Sequence, residues 1–205
     1  MNEKNFSIAW DAPIIPSHSL AGIPLQVRVE DFDLVLENYL VNREKSWYQF
    51  EKSPLVYLEK YLDAAGNGGY GFGVVDIDLT NWRLYFDSPS HVGIQRKALA
   101  ILIREFRVYA IKIWQFESLG SNSMPTHSYQ GKLPEGIGLG NCVKDLLPYS
   151  ALEFDSAEEW FITDPSYGGL EVTGLGADMD LSDEPDQKIS ALCVISCSSS
   201  DLIGQ

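Results

Sequence analysis

The chain lacks most of what assigns a sequence to a chemical class. No apolar run approaches the ~18 residues that span a bilayer. The opening Met1-Asn2-Glu3-Lys4-Asn5-Phe6 has neither the basic region nor the apolar core of a signal peptide, so a cytoplasmic location is expected. Cysteine is scarce, and Cys142, Cys193 and Cys197 are an odd number, which fits reduced thiols rather than a disulfide framework. Set beside His18, His91 and His127, these cysteines give no zinc spacing. Nucleophile-elbow, P-loop and His-Glu-x-x-His patterns are missing. No catalytic, cofactor-binding or metal-binding set is therefore assigned, and no enzyme is expected.

Basic residues are also few. Fifteen Lys and Arg face 29 Asp and Glu, for a net charge of −14. Residues 131–205 hold only Lys132, Lys144 and Lys188 against fourteen acidic residues (3 − 14 = −11), leaving −3 for the first 130. Such a field argues against nucleic acid and anionic membrane as partners and suits a basic protein, although composition by itself favours the plainer reading that the charge serves solubility alone.

What is present is enough apolar and aromatic residue, 45% and 12%, for one medium domain or two small ones. It also includes a stretch used twice. Gly22-Ile23-Pro24-Leu25…Val29-Glu30-Asp31-Phe32 aligns with Gly136-Ile137-Gly138-Leu139…Val143-Lys144-Asp145-Leu146 at a constant offset (136 − 22 = 114), with Gln26 standing where the second copy has Gly140. Each copy predicts a strand end, a turn and then a helix, over roughly 29–40 and 142–149. Alternating runs predict strands at 6–10, from Tyr70, 82–86, within 97–116, 158–162, 169–173 and 189–195; residues 55–62 fit strand or helix. The expected fold class is α+β, two tandem repeats of a helix packed on an antiparallel sheet. The boundaries follow as 1–118 for the first unit with its N-terminal strand, 119–134 for a linker and 135–205 for the acidic second unit.

Near-matches to known motifs fail on context. Gly66-Asn67-Gly68-Gly69-Tyr70-Gly71 matches G-x-G-x-x-G but precedes a strand instead of a helix, so a turn is expected. Asp178-x-Asp180-x-Ser182 opens like a calcium loop, yet Asp183 replaces the turn glycine and Ile189 the bidentate glutamate. Asp76 and Asp78 share one face of a strand, where a carboxylate pair could do acid–base chemistry; the wet face of a one-sided sheet is the preferred reading. Trp47, Trp82, Trp114 and Trp160 fall mostly in strand-like runs and are expected in the core, with any outward-facing one a natural interface anchor.

The repeated Gly-Ile-x-Leu core, with Ile8-Ala9-Trp10 and Ser19-Leu20-Ala21 before its first copy, resembles the tandem module of β-lactamase-inhibitor-like proteins. It also resembles the small acidic immunity proteins of bacterial polymorphic and contact-dependent-inhibition toxins. The resemblance implies a non-enzymatic inhibitor that occludes the active site of a cognate, basic, nuclease-like toxin. Asp155, Glu158, Glu159, Asp178, Asp180, Asp183, Glu184 and Asp186 are the expected toxin-facing carboxylates. The alternative is a small-ligand binder or enzyme using a cleft between the repeats, with Asp76, Asp78 or His91 at work.

Overall fold

Branched and aromatic residues alternating over short, turn-bounded runs favour extended chain, and strands dominate the fold. A computed structural model describes residues 6–75, 97–115, 128–174 and 180–196. Asp76, Asp78, Trp82, His91, His127, Asp178 and Cys197 lie outside these residues, as does the expected strand at 82–86. Strands β1 (Ser19–Leu20) and β2 (Ile23–Pro24) form a small ribbon, followed by helix α1 (Val29–Leu36) and a 3-10 turn (Glu37–Tyr39). Next come β3 (Leu40–Asn42), β4 (Trp47–Tyr48), β5 (Val56–Leu62), β6 (Gly68–Val74), β7 (Leu99–Arg104) and β8 (Arg107–Trp114). A second 3-10 turn (Val143–Leu146) precedes β9 (Leu152–Asp155), β10 (Trp160–Thr163), β11 (Leu170–Gly174) and β12 (Ile189–Ile195).

Strands β3 to β12 make one antiparallel sheet in the order β3-β4-β5-β6-β7-β8-β12-β11-β10-β9. The expected α+β class is thereby overturned. Among the described residues the molecule is mostly β, with one eight-residue helix, in place of two helix-on-sheet units. The helix expected at 142–149 is a four-residue 3-10 turn: Leu147 still has helical backbone (φ −55°, ψ −32°), but Pro148 has no N–H to donate back to the preceding turn, so the ladder stops. The first helix stops at Leu36, and by Leu40 the chain has entered β3. The expected strand at 6–10 is reduced to an isolated bridge, Ala9 to Glu51. Strand β9 was not foreseen.

Opposed residues in an antiparallel ladder share a face, so the register sorts the sheet into rows. One row runs Leu58, Phe72, Leu99, Ile113, Leu192, Val172 and Phe161 across seven strands. It joins a single core with Ile8, Trp10, Ile14, Leu20, Ile23, Phe32, Tyr129, Leu133, Ile137, Val143 and Leu146. The next row runs Glu59, Gly71, Ala100, Lys112, Cys193, Glu171, Ile162 and Glu153, on the opposite face, which carries no helix or second sheet among the described residues.

The duplicated stretch adopts one conformation twice. Gly22 and Gly136 have φ of +77° and +82°, and Gln26 and Gly140 have +65° and +81°. Arg28 and Cys142 then cap their short helices with nearly identical backbone angles, φ/ψ of −71°/146° and −76°/143°. Each copy docks on the head of a long strand. The amides of Gln26 and Val29 donate to the carbonyls of Val108 and Phe106; those of Gly140 and Val143 donate to Ile189 and Gln187. The two docked strands, β8 and β12, lie side by side. Pairs Trp114–Ala191 and Ala110–Ile195 are arranged symmetrically about Lys112–Cys193, so a local two-fold axis passes through that pair. It relates the meander β5-β6-β7-β8 to β9-β10-β11-β12, with Leu58, Tyr70 and Ile101 matching Leu152, Phe161 and Val172. Gln26 holds a left-handed conformation that its counterpart gives to glycine. Replacing Gln26 by glycine removes the left-handed strain but also the 2.6 Å hydrogen bond from Gln26 Nε2 to Ser196 Oγ. It adds the entropy cost of glycine as well, so urea unfolding should show a net change within about 0.5 kcal/mol of zero.

Candidate interaction surface

The uncovered face differs between the two halves. On the first half β6 presents Gly69, Gly71 and Gly73 there, opposite Tyr61, Glu59 and Tyr57. The glycines make room for Lys97, whose stem passes so close to Gly71 that a β-carbon would lie 2.9 Å from it. Lys97 is fully buried; its Nζ reaches Glu59 Oε2 at 2.7 Å and sits 4.7 Å from the Tyr57 ring centre. Burial lowers the Lys97 pKa, and the bond to Glu59 opposes that shift. This half of the face is closed by its own side chains.

The second half is open. A groove of about 770 Å³ lies over the central strands, with Lys112, Cys193 and Glu171 on its floor and Tyr109 and Trp160 among its walls. Lys112 Nζ stands 4.8 Å from the Trp160 ring centre, and the Arg104 guanidinium 4.5 Å from that of Tyr109. Burial pushes the Cys193 thiol up, out of the range of a reactive thiolate. Burial also raises the Glu171 carboxyl; Lys112 opposes this, and Glu158 and Asp155 add to it. A carboxyl raised above its ordinary 4.5 makes the unfolded chain release its proton first, so stability falls as pH rises through that window. Replacing Glu171 by glutamine should therefore raise the melting temperature at pH 7, with the gain fading as pH drops toward 4.5.

The expected toxin-facing carboxylates divide by what already holds them. Asp155, half-buried, accepts from the amides of Ala157 (2.9 Å) and Glu158 (3.3 Å) and so shapes the β9–β10 turn. Asp180 holds the next acidic turn: its carboxylate accepts from the Leu181 amide at 2.5 Å, and its backbone carbonyl accepts from the amides of Asp183 and Glu184. Asp186 is paired with Lys144. Glu158, Glu159, Asp183 and Glu184 are exposed and make no ion pair among the described residues. Direction alternates along an antiparallel sheet, so the β9–β10 turn and the β11–β12 connection leave the same end. The structure thus brings Glu158 and Glu159 to the same end of the sheet as the 180–186 turn, with Asp155 and Glu158 also lining the groove.

Residues that sequence reasoning passed over join this surface. Glu153 is exposed on the uncovered face of β9, and the whole span 145–187 carries twelve acidic residues and no Lys, Arg or His. That span was legible from composition. Glu171 and Lys112 needed the register. Trp160, expected in the core, is half-buried on the groove wall, while Trp47 and Trp114 are half-buried elsewhere in the sheet. The Gly66–Gly71 run is the β5–β6 turn and the head of β6. Among the described residues no helix is long and apolar enough to cross a membrane. Comparison with family models, with curated proteins and with solved structures finds no match to this chain.

Proposed function

We propose that the chain is an immunity-type inhibitor, a binding protein that neutralises a basic, nuclease-like toxin by covering its active site with the acidic end of the sheet. One observation carries the reading. Four carboxylates at that end, Glu158, Glu159, Asp183 and Glu184, are exposed without an ion pair among the described residues, inside a span of 43 residues (145–187) that has no basic side chain. Like charges without an ion-pair partner among the described residues oppose folding through mutual repulsion, and a complementary surface recovers that cost on binding. The half-buried Trp160 beside them is the kind of amphipathic ring that anchors an interface. Two of the expected contact residues change role: Asp180 and Asp186 hold the turn in shape and are not proposed as primary contacts.

Capture with the full chain as bait, from the organism that encodes it, tests the reading. The expected catch is one basic protein held 1:1 and toxic when expressed alone. The variant E158K/E159K/D183K/E184K should lose that catch while staying folded, with a melting temperature no lower than that of the parent chain, since it relieves like-charge repulsion. Equal recovery by both baits would overturn the proposal.

A further inference from the structure

Strand β9 ends the sheet, and its outer edge is unpaired among the described residues. Alternation of the ladder fixes which backbone groups face outward. The Ala151 and Asp155 carbonyls accept from the amides of Asp164 and Glu159 on the inner side. The N–H and C=O of Leu152 and Phe154 therefore point away from the sheet. The local two-fold shows what such an edge accepts. Leu58 is the counterpart of Leu152 in the first half, and its outward N–H donates to the Ser46 carbonyl at 2.9 Å, where β4 lies against Val56 and Tyr57. The first half thus carries its own added strand at a position that is unpaired in the second half among the described residues.

Side chains on β9 define the occupant. Leu152 and Phe154 pack toward the core, with Phe154 4.8 Å from Phe161 between ring centres, whereas Glu153 and Asp155 face the open side beside Ile162 and Trp160. Pairing two copies of β9 about Glu153, the register that engages Leu152 and Phe154 of both copies, sets carboxylate against carboxylate across the seam, as does pairing about Phe154, which disfavours self-association in these registers. We infer that the β9 edge seats a strand of the partner protein, apolar where it meets Leu152 and Phe154 and basic where it meets Glu153 and Asp155. This rests on the reading of the chain as an inhibitor of a basic protein and names the edge it uses.

The test uses a backbone-cyclised hairpin of alternating valine and lysine as probe, with the full chain followed by amide NMR and hydrogen exchange. The expected result is that shifts centre on residues 152–155 and that exchange of the Leu152 and Phe154 amides slows at least tenfold, while a valine–glutamate hairpin does nothing. Leu152→Pro removes an outward N–H and no β9–β10 bond, so it should weaken probe binding by roughly tenfold, the value of about one hydrogen bond and its register. Unprotected β9 amides, shifts confined to 180–186, or dimerisation of the chain through β9 would each overturn the inference. The failures separate. A captured basic partner that leaves the β9 amides unprotected refutes the edge and spares the inhibitor reading. A hairpin that binds β9 when no basic partner is ever captured does the reverse.

Discussion

Gly22→Ala should remove a large share of the protein's stability, several kcal/mol, whereas Gly136→Ala, at the same position of the repeat, should cost only about 1 kcal/mol. Both residues have φ near +80°, so each substitution carries the same left-handed strain. The difference lies in what a β-carbon meets. At Gly22 it falls 2.1 Å from the Ser7 carbonyl oxygen, a backbone atom that cannot move aside without dragging the first core segment with it. At Gly136 nothing lies within 4 Å. Displacing Ser7 pulls on Ile8 and Trp10, both essentially inaccessible. The Gly22→Ala cost should therefore reach several kcal/mol against a total of about 5–15 for a domain of ordinary stability. Urea denaturation of the two variants side by side reads the difference; equal losses would mean that the close approach at Gly22 is wrong.

Trp10→Ala should remove about 3–5 kcal/mol, the range for truncating a buried aromatic residue. Trp10 is the point where three segments meet. Its amide donates to the Glu51 carbonyl at 2.8 Å, and its carbonyl accepts from the Gln130 amide at 2.8 Å. Its ring stacks on Phe50, with centres 6.2 Å apart, and meets Tyr129 edge-on at 6.0 Å. The Tyr129 hydroxyl in turn accepts from the Ala21 amide at 3.1 Å, and burial raises its pKa far above the ordinary phenol value. Removing the indole leaves a cavity under the β1–β2 ribbon and frees the segment at 128–130, so thermal unfolding should occur well below the wild-type midpoint. Trp10→Phe, which keeps a ring against Phe50, should recover a large part of the loss.

The strand content was legible where periodicity was strong. Runs near 56–62, 99–114, 170–174 and 189–195 are strands as their composition requires. The fold class was not legible, for two local reasons. Apolar spacing at 142–149 fits a helix, but the spacing says nothing of Pro148, which limits it to one turn. Strand β9 is only four residues long and carries two carboxylates, so no alternation test selects it. The two-residue turn joining β7 to β8 hides in the same way. Glu105 and Phe106 hold φ of +50° and +59°, values a reader expects of Asn-Gly rather than of a charged and an aromatic residue.

The repeat, by contrast, was visible as letters before its meaning was. Matched glycines marked matched turns, yet the axis they imply emerges only from the β8–β12 register. The acidic character of the second half was plain in composition. Which of its carboxylates stand free was not, because Asp155, Asp180 and Asp186 differ from Glu158, Glu159, Asp183 and Glu184 only in neighbours distant along the chain or in turn geometry.

The central claim, that the acidic end of the sheet receives a basic partner, is tested most directly by the association rate between the full chain and its captured partner across ionic strength. The account predicts a rate that falls steeply with added salt, as for an electrostatically steered encounter. It also predicts that E158K/E159K/D183K/E184K flattens this dependence and slows association at low salt by at least tenfold. A rate indifferent to salt and unchanged by the four reversals would contradict it.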